Sequence, residues 1–298
     1  MKPFIKWVGG KSSIIDNIIS KIPKEFENYH EFFLGGGSVL LNILDLKLKN
    51  KIKINNKIYA YDINNDLINV YKNIQNNKEE LYSIAINIIT EYDKLDGTII
   101  NKNPLNMDNA KTSKESYYYW LRKKYNNIDK NSIECSALFI ILNKLCFRGL
   151  YRCNSNGLFN VPFGHYKKTP SIITKKYLED LSILIADVNF ICCDFTEAIK
   201  NVKENDFIYL DPPYFPENTT SFVSYTSDGF NIEKHKKLFD ILKNIKNIKF
   251  LLSNSNTDEV KNNLSMYNIE YIICKRAIHC KKPDTKTLEI VIYNYLIV

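Results

Sequence analysis

Arginine is scarce in this chain: only Arg122, Arg148, Arg152 and Arg276 stand among 41 basic residues, so lysine carries nearly all the positive charge. With abundant Asn, Ile and Tyr, this matches the codon usage of an AT-rich genome and makes each arginine informative. The four histidines are scattered and the seven cysteines form no Cys-x-x-Cys pair. That removes the spacing of a zinc site and of a disulfide scaffold and leaves free thiols in a reducing compartment, so no metal is expected. No apolar run reaches the roughly 20 residues a membrane helix needs. The first eleven residues are too short in their apolar stretch and too glycine-rich for a signal peptide. An intracellular, cytoplasmic protein without a membrane partner is expected.

What the chain does have is length and patterning. Its 298 residues, 45% hydrophobic, suit one large domain or one domain carrying an insertion. A formal charge of +8 favours a polyanionic partner, a weak signal on its own. Residues 29–34 read as a strand that ends in Gly35-Gly36-Gly37-Ser38 and leads into a helix. A second strand, 57–61, ends at Asp62. Residues 66 to 130 read mostly as helices with a polar break at 99–111, and 135–142 as another helix. Asn154-Ser155-Asn156-Gly157 predicts a β-hairpin turn within 148–165. Strand-like runs resume at 188–193, 207–210, 249–253, 268–274 and 288–293. The pattern is an open α/β sheet, formed by 1–65 and 185–298, interrupted by a module over 66–184.

Four motifs fall where such sheets bind ligands, at the carboxyl ends of strands. Asp211-Pro212-Pro213-Tyr214 follows the strand 207–210. Asp-Pro alone is an ordinary turn. The double proline followed by an aromatic stiffens the backbone and presents the Asp211 carboxylate, the Pro212 carbonyl and the Tyr214 ring together. Two such acceptors suit an exocyclic purine amine, whose lone pair they would turn toward an electrophilic methyl group, while Tyr214 stacks on the base. The turn Phe33-Leu34-Gly35-Gly36-Gly37 departs from GxGxxG, since Leu40 stands where the last glycine would fall. It marks a close backbone approach, with a cofactor or with another segment. Asp62 suits either the hydroxyls of a ribose or a helix N-cap. Asp194-Phe195 suits either an adenine ring and its amino group or a cap with a core aromatic. Trp7-Val8-Gly9-Gly10-Lys11 is hard to explain as packing, and its backbone with Lys11 suits the carboxylate end of an amino-acid-bearing cofactor.

Together with Pro3–Lys11, Phe32–Ser38, Tyr61–Asn64 and Asp211–Tyr214, the runs Leu142–Arg152 and Phe159–Gly164 resemble the DNA adenine methyltransferases of the Dam type, the D12 or alpha class. The resemblance runs in the family's order from residue 3 to the last strand. It implies a Rossmann-like seven-stranded sheet binding S-adenosylmethionine, released as S-adenosylhomocysteine, and an inserted, mainly helical target-recognition domain whose β-hairpin enters double-stranded DNA. By resemblance, Trp7, Lys11, Gly35, Gly37 and Asp62 correspond to cofactor contacts, with Phe33 and Gly9 in the same loops. Asp194 and Phe195 correspond to the adenosine-binding pair, and Asp211, Pro212 and Tyr214 to the catalytic motif. Arg152 would read a guanine, with Leu150 and Pro162 on other bases.

Position 148 departs from the GATC pattern, in which many members carry Asn; an arginine there looks more like members that modify CATG, so CATG is the expected target and GATC the alternative. Lysines beside the hairpin, Lys167 above all, with Lys168, Lys175 and Lys176, are candidates for phosphate contacts, as are Lys275-Arg276, Lys281-Lys282 and Lys286. Residues 217–231, rich in Asn, Thr and Ser, are expected to form a loop that orders over the flipped base. A monomer or weak dimer is expected, and a cognate restriction endonuclease is a candidate partner whose existence the sequence does not reveal. Rival readings fare worse. None of the nine prolines precedes a cysteine, as a cytosine-C5 enzyme would require. Methylation of protein glutamine usually places Asn at the position of Asp211, and a dinucleotide oxidoreductase leaves Asp211–Tyr214 unexplained. The non-enzymatic alternative is an inactive DNA-binding module that keeps the fold.

Overall fold

A computed structural model describes residues 1–216, 229–275 and 286–297. In chain order the elements are α1 (Ile15–Ile19), β1 (Glu25–Phe26), β2 (Tyr29–Glu31), α2 (Ser38–Leu48), β3 (Lys53–Ile54) and β4 (Ile58–Asp62). Six helices follow: α3 (Asn65–Asn76), α4 (Lys78–Asp93), α5 (Met107–Ala110), α6 (Lys114–Asn127), α7 (Ile133–Leu145) and α8 (Lys175–Leu184). The chain then runs through β5 (Val188–Cys192), α9 (Phe195–Ala198), β6 (Phe207–Leu210), α10 (Ile232–Asn244), β7 (Lys249–Ser255), α11 (Asp258–Asn263), β8 (Asn268–Lys275) and β9 (Lys286–Tyr293). Contacts divide these into a sheet unit, Met1–Lys2, Gly9–Ile63 and Asp187–Val298, and a helical unit, Pro3–Val8 and Asn64–Ala186. Among the described residues no helix is long and apolar enough to cross a membrane.

The sheet unit is built on seven strands in the order β5-β4-β2-β6-β7-β9-β8, as the resemblance implied. The first five strands are parallel and β9 lies antiparallel between β7 and β8. Every residue of β6 is buried, as expected of a parallel strand covered on both faces. One face packs Ile208, Leu210, Phe250, Leu252, Ile290 and Ile292 against Leu238, Phe239 and Leu242 of α10. Those three helix residues recur at the spacing of one helical face. From β2 the chain winds outward through β4 to β5, then returns to the other side of β2 as β6. The sheet therefore has a topological switch point between β2 and β6, where open α/β sheets open a crevice at their carboxyl ends. A short parallel pair, β1 with β3, was not anticipated from the sequence.

A buried polar network joins β2, β4 and the residue before β6. His30 Nε2 lies 2.9 Å from Asp206 Oδ2 and His30 Nδ1 3.2 Å from the Tyr61 hydroxyl. Asp206 also accepts from the backbone of Asn28 (3.0 Å) and Lys203 (2.8 Å). Burial pushes the Asp206 carboxyl up, but the bonds from His30, Lys203 and Asn28 outweigh it and hold it below the usual carboxylate range.

The helical unit is organised round α7, whose residues 135–143 are all buried, so it is the central helix of its own core. Its α-helices other than α4 start on side-chain caps: Asn64, Asn106, Ser113, Ser132 and Thr174 each accept a backbone N–H from the first turn. Asn143 explains why residues 3–8 count with the helices. Its Oδ1 accepts from Lys6 N at 2.9 Å, and its Nδ2 donates to Lys6 O at 2.8 Å and Gly149 O at 3.2 Å.

The hairpin predicted over 148–165 takes the form of a looped segment paired at isolated antiparallel bridges, Cys146 with Phe163 and Cys153 with Phe159, rather than a continuous ladder. The reason is competition for its backbone groups. Phe159 N–H donates to Asn126 Oδ1 and Phe159 C=O accepts from Asn126 Nδ2, while Val161 C=O accepts from the Tyr118 hydroxyl and from Arg122. Side chains of α6 thus satisfy the strand that a partner strand would otherwise bind. Arg148 and Gly149 adopt φ of +58° and +68°, which turns the chain, and a Cβ on Gly149 would lie 2.4 Å from Lys6 Cδ. The Asn154 side chain closes the tip by accepting from the backbone of Asn156 and Leu158 at 3.0 Å each.

Candidate active site

The turns after β2, β4, β5 and β6 all belong to the sheet unit and sit at the carboxyl ends of four neighbouring strands. After β2, Gly35 and Gly37 take φ of +49° and +68°, and Gly37 caps α2 from the left-handed region, where a β-carbon is disfavoured. Gly35 N–H donates to Asp62 Oδ2 at 2.9 Å, so the residue at the end of β4 supports the glycine turn directly. The N-cap that Asp62 could have supplied is made by Asn64 instead. Asp194 Oδ1 caps α9 through Thr196 N–H at 3.0 Å, and its other oxygen lies 3.8 Å from Lys234 Nζ. Phe33, Phe195 and Phe230 form an aromatic trio with centroids 5.6 to 5.9 Å apart. Phe195 is 2% exposed and belongs to the core, whereas Phe33 and Phe230 are half-buried.

After β6, Asp211 meets Lys11, which is 4% exposed. Lys11 Nζ lies 2.6 Å from Asp211 Oδ1, 2.6 Å from Gly9 O and 4.7 Å from the centroid of the Tyr214 ring. Burial pushes the Asp211 carboxyl up to about 6, opposed by Lys11 and reinforced by the charge of Glu289. Beneath it Glu31 of β2, 2% exposed, accepts from the Tyr29 hydroxyl at 2.7 Å. Burial pushes Glu31 up to about 8, with the Tyr29 bond opposing and the Asp211 charge adding. The backbone after Tyr214 is clamped by the end of β7: Phe215 N–H donates to Asn254 Oδ1 at 3.0 Å, and Ser255 Oγ donates to Phe215 O at 2.7 Å.

In the helical unit, Trp7 stacks on Phe139 (6.4 Å, 21°) and Tyr151 (5.4 Å, 22°). Arg148, Arg152, Pro162 and Lys167 are exposed and Leu150 is half-buried. Arg152 Nε donates to Asn160 Oδ1 at 2.8 Å. Of the remaining expectations, residues 217–228, and with them most of the loop over 217–231, lie outside the described residues, as do Arg276, Lys281 and Lys282; only the backbone of Lys275 and Lys286 is described. Several residues at the site escaped sequence reasoning: Glu31, Phe230, Asn254, Ser255 and Glu289. The polar run Ser253-Asn254-Ser255-Asn256 at the end of an apolar strand was the available signal for two of them.

Residues 7–278 match the family model of the D12 class N6 adenine-specific DNA methyltransferases. The chain belongs to this family. It is 36% identical to the Type II methyltransferase M.MjaIII of Methanocaldococcus jannaschii over 99% of both chains. It is 32% identical to the Type II methyltransferase M1.LlaDCHI of Lactococcus lactis subsp. cremoris, covering 99% of this chain and 96% of that one. It is 33% identical to a DNA adenine methylase of Haemophilus influenzae over 86% of this chain and 80% of that one. Membership in the D12 class carries with it N6-adenine methylation of DNA with S-adenosylmethionine as methyl donor. The donor set of the sheet unit fits that cofactor. Carboxylates stand after β4 and β5, the half-buried rings of Phe33 and Phe230 pack on Phe195, and Asp211, with the charge of Glu289 acting on it, meets the buried Lys11.

Proposed function

We propose that the protein methylates N6 of an adenine extruded from a short palindromic duplex, CATG in preference and GATC as the alternative. The observation that carries this reading is the cluster of Lys11, Asp211 and Tyr214 beside the switch point of the sheet. When bound, S-adenosylmethionine supplies a methyl group on a sulfonium. Asp62 would hold its ribose hydroxyls, Asp194 its adenine amino group, and Phe33 with Phe195 the ring. Gly35 and Gly37 permit close backbone approach, while Trp7, Gly9 and Lys11 serve the amino-acid end.

Toward the flipped base, the Asp211 carboxylate and the Pro212 carbonyl accept the two N6 hydrogens, which withdraws the nitrogen lone pair from the ring and frees it for attack. Tyr214 offsets part of the stacking lost on extrusion. The rate gain comes from positioning in a site screened from bulk water. On the DNA side, Arg152 presents its guanidinium fork to a guanine edge with its Nε committed to Asn160, Arg148 sets the adjoining base choice, and Leu150 and Pro162 contact bases. Lys167 contacts a phosphate.

The test is methylation of unmodified genomic DNA by the purified protein with S-adenosylmethionine, read by single-molecule sequencing. N6-methyladenine confined to CATG is the expected result. Confinement to GATC would remove Arg148 from the specificity argument, and no mark at any site would favour a DNA-binding module without turnover.

A further inference from the structure

The carboxylate of Glu289 has no place in the transfer chemistry described above, yet it is bonded to the residue that would carry the flipped base. Glu289 stands near the start of β9, paired with Ser255 of β7 and Ile272 of β8. Along β9, Ile290 and Ile292 join the core, so alternation places Glu289 on the other face, with Val291 at 1% exposure. Glu289 is half-buried there, and a carboxylate partly withdrawn from water favours a donor that meets it. The Tyr214 hydroxyl is that donor, at 2.6 Å from Glu289 Oε2.

We propose that Glu289 is a positioning residue for methyl transfer, holding the Tyr214 ring through its hydroxyl in the orientation in which it receives the adenine. The inference rests on the function proposed above. Two attachments already fix the main chain next to Tyr214, from Asn254 and Ser255 to Phe215. They leave the ring free to turn about its side-chain torsions, and the bond to Glu289 removes that freedom. Lys11 Nζ against the ring centroid, at 4.7 Å, holds it from another side. Burial pushes the Tyr214 hydroxyl up, and the charges of Asp211 and Glu289 push it further, so it stays a donor.

Glu289 has a second, separable effect through its charge, which raises the Asp211 carboxyl. The titratable groups facing this pair are Lys11 from the N-terminal turn, Glu31 from β2, Tyr209 from β6, Tyr214 from the loop after it and Cys274 from β8.

The experiment compares wild type, Glu289→Ala, Glu289→Gln, Tyr214→Phe and the Glu289→Ala/Tyr214→Phe double variant on duplexes carrying CATG or GATC, with urea unfolding of the same proteins. Loss of a bond to a charged acceptor predicts a kcat about ten-fold lower for Glu289→Ala, with the KM for S-adenosylmethionine within about two-fold of wild type. The double variant should be no slower than Tyr214→Phe, because both changes remove the same bond. Glu289→Gln keeps an acceptor and should recover most of kcat, while the acid limb of kcat/KM moves to lower pH because the charge that raised Asp211 is gone. Multiplicative losses in the double variant, or a Gln variant as slow as the Ala variant, overturn the proposal. If the wild type methylates no duplex, the functional reading fails and the role in transfer fails with it. In that event the urea cycle still decides the bond: additive destabilisation would show that Glu289 and Tyr214 do not interact.

Discussion

Lys11 Nζ and Asp211 Oδ1 are 2.6 Å apart, with the two side chains 5% and 18% exposed, and they join the start of the chain to the loop after its central strand. A buried pair of this kind holds its geometry only while both members are charged. The cluster round it also contains Glu31, which burial holds above the usual carboxylate range, and Glu289, whose charge raises Asp211.

The first prediction concerns acid sensitivity. The Asp211 carboxyl sits at about 6, so it loses its second acceptor as the pH falls through that value, and kcat/KM should decline on the acid side with a limb there. Lys11 opposes the rise, so Lys11→Met should move the limb to higher pH. A limb that stays in place in this variant would disconnect Lys11 from the ionisation of Asp211.

Replacing the carboxylate itself should separate binding from turnover. Asp211→Ala is expected to lower kcat by at least about a thousand-fold, with S-adenosylhomocysteine affinity by calorimetry close to wild type and a lower thermal midpoint, because Lys11 is left buried without its partner. Persistent methylation would remove Asp211 from the chemistry.

On the helical unit, Arg152→Ala should relax discrimination at one guanine position by about 1 to 3 kcal/mol while cutting the rate on the preferred site, as sequencing of methylated random libraries would show. Lys167→Ala should instead weaken binding to all sequences alike and reduce the salt slope by about one unit.

His235 gives a stability prediction. Its ring is fully buried among Phe215, Phe230 and Phe239, and neither nitrogen has a hydrogen-bond partner among the described residues. Burial pushes it down to about 4. The unfolded chain binds the proton at its ordinary pKa near 6.5, so the contribution is whole above about pH 6.5 and is lost as the pH falls toward 4. Urea unfolding at pH 7.5 and 4.5 should show His235→Leu less acid-sensitive than wild type, by about 2 to 3 kcal/mol. An equal acid loss in both proteins would place the titration elsewhere.

Asp206 works in the same direction through a different cause. Its carboxyl is held low in the folded state, so its stabilisation is present above the unfolded value and is lost as the pH falls through the folded one. Asp206→Ala strands His30 in the core and should cost about 3 kcal/mol at neutral pH by denaturation, where a loss under about 1 would make the pairing incidental.

The sheet and its functional turns were legible because both signals are local. Buried parallel strands read as short apolar runs, and Gly35-Gly36-Gly37, Asp62, Asp194 and Asp211-Pro212 punctuate their ends. Glu31 and Glu289 were not legible, since one acidic residue within a strand looks the same whether it points to solvent or into a site; only the pairing of β2 with β4 and β6, and of β9 with β7 and β8, decides that. The segment over 148–165 was half legible: Asn154–Gly157 marked the turn, but nothing in it revealed that Asn126, Arg122 and Tyr118 take the backbone groups a second strand would use.

The chain leaves the sheet after β4 and returns at β5, its immediate neighbour, with Asp62 paired to Cys192 across 130 positions of sequence. An ordinary crossover between two such strands is a single helix; here an entire second unit fills the same connection. Because the entropy of closing a connection grows only slowly with its length, the sheet is nearly indifferent to what fills it. The connection between residues 64 and 186 can therefore accept insertions and substitutions over time while the short turns at the strand ends are kept.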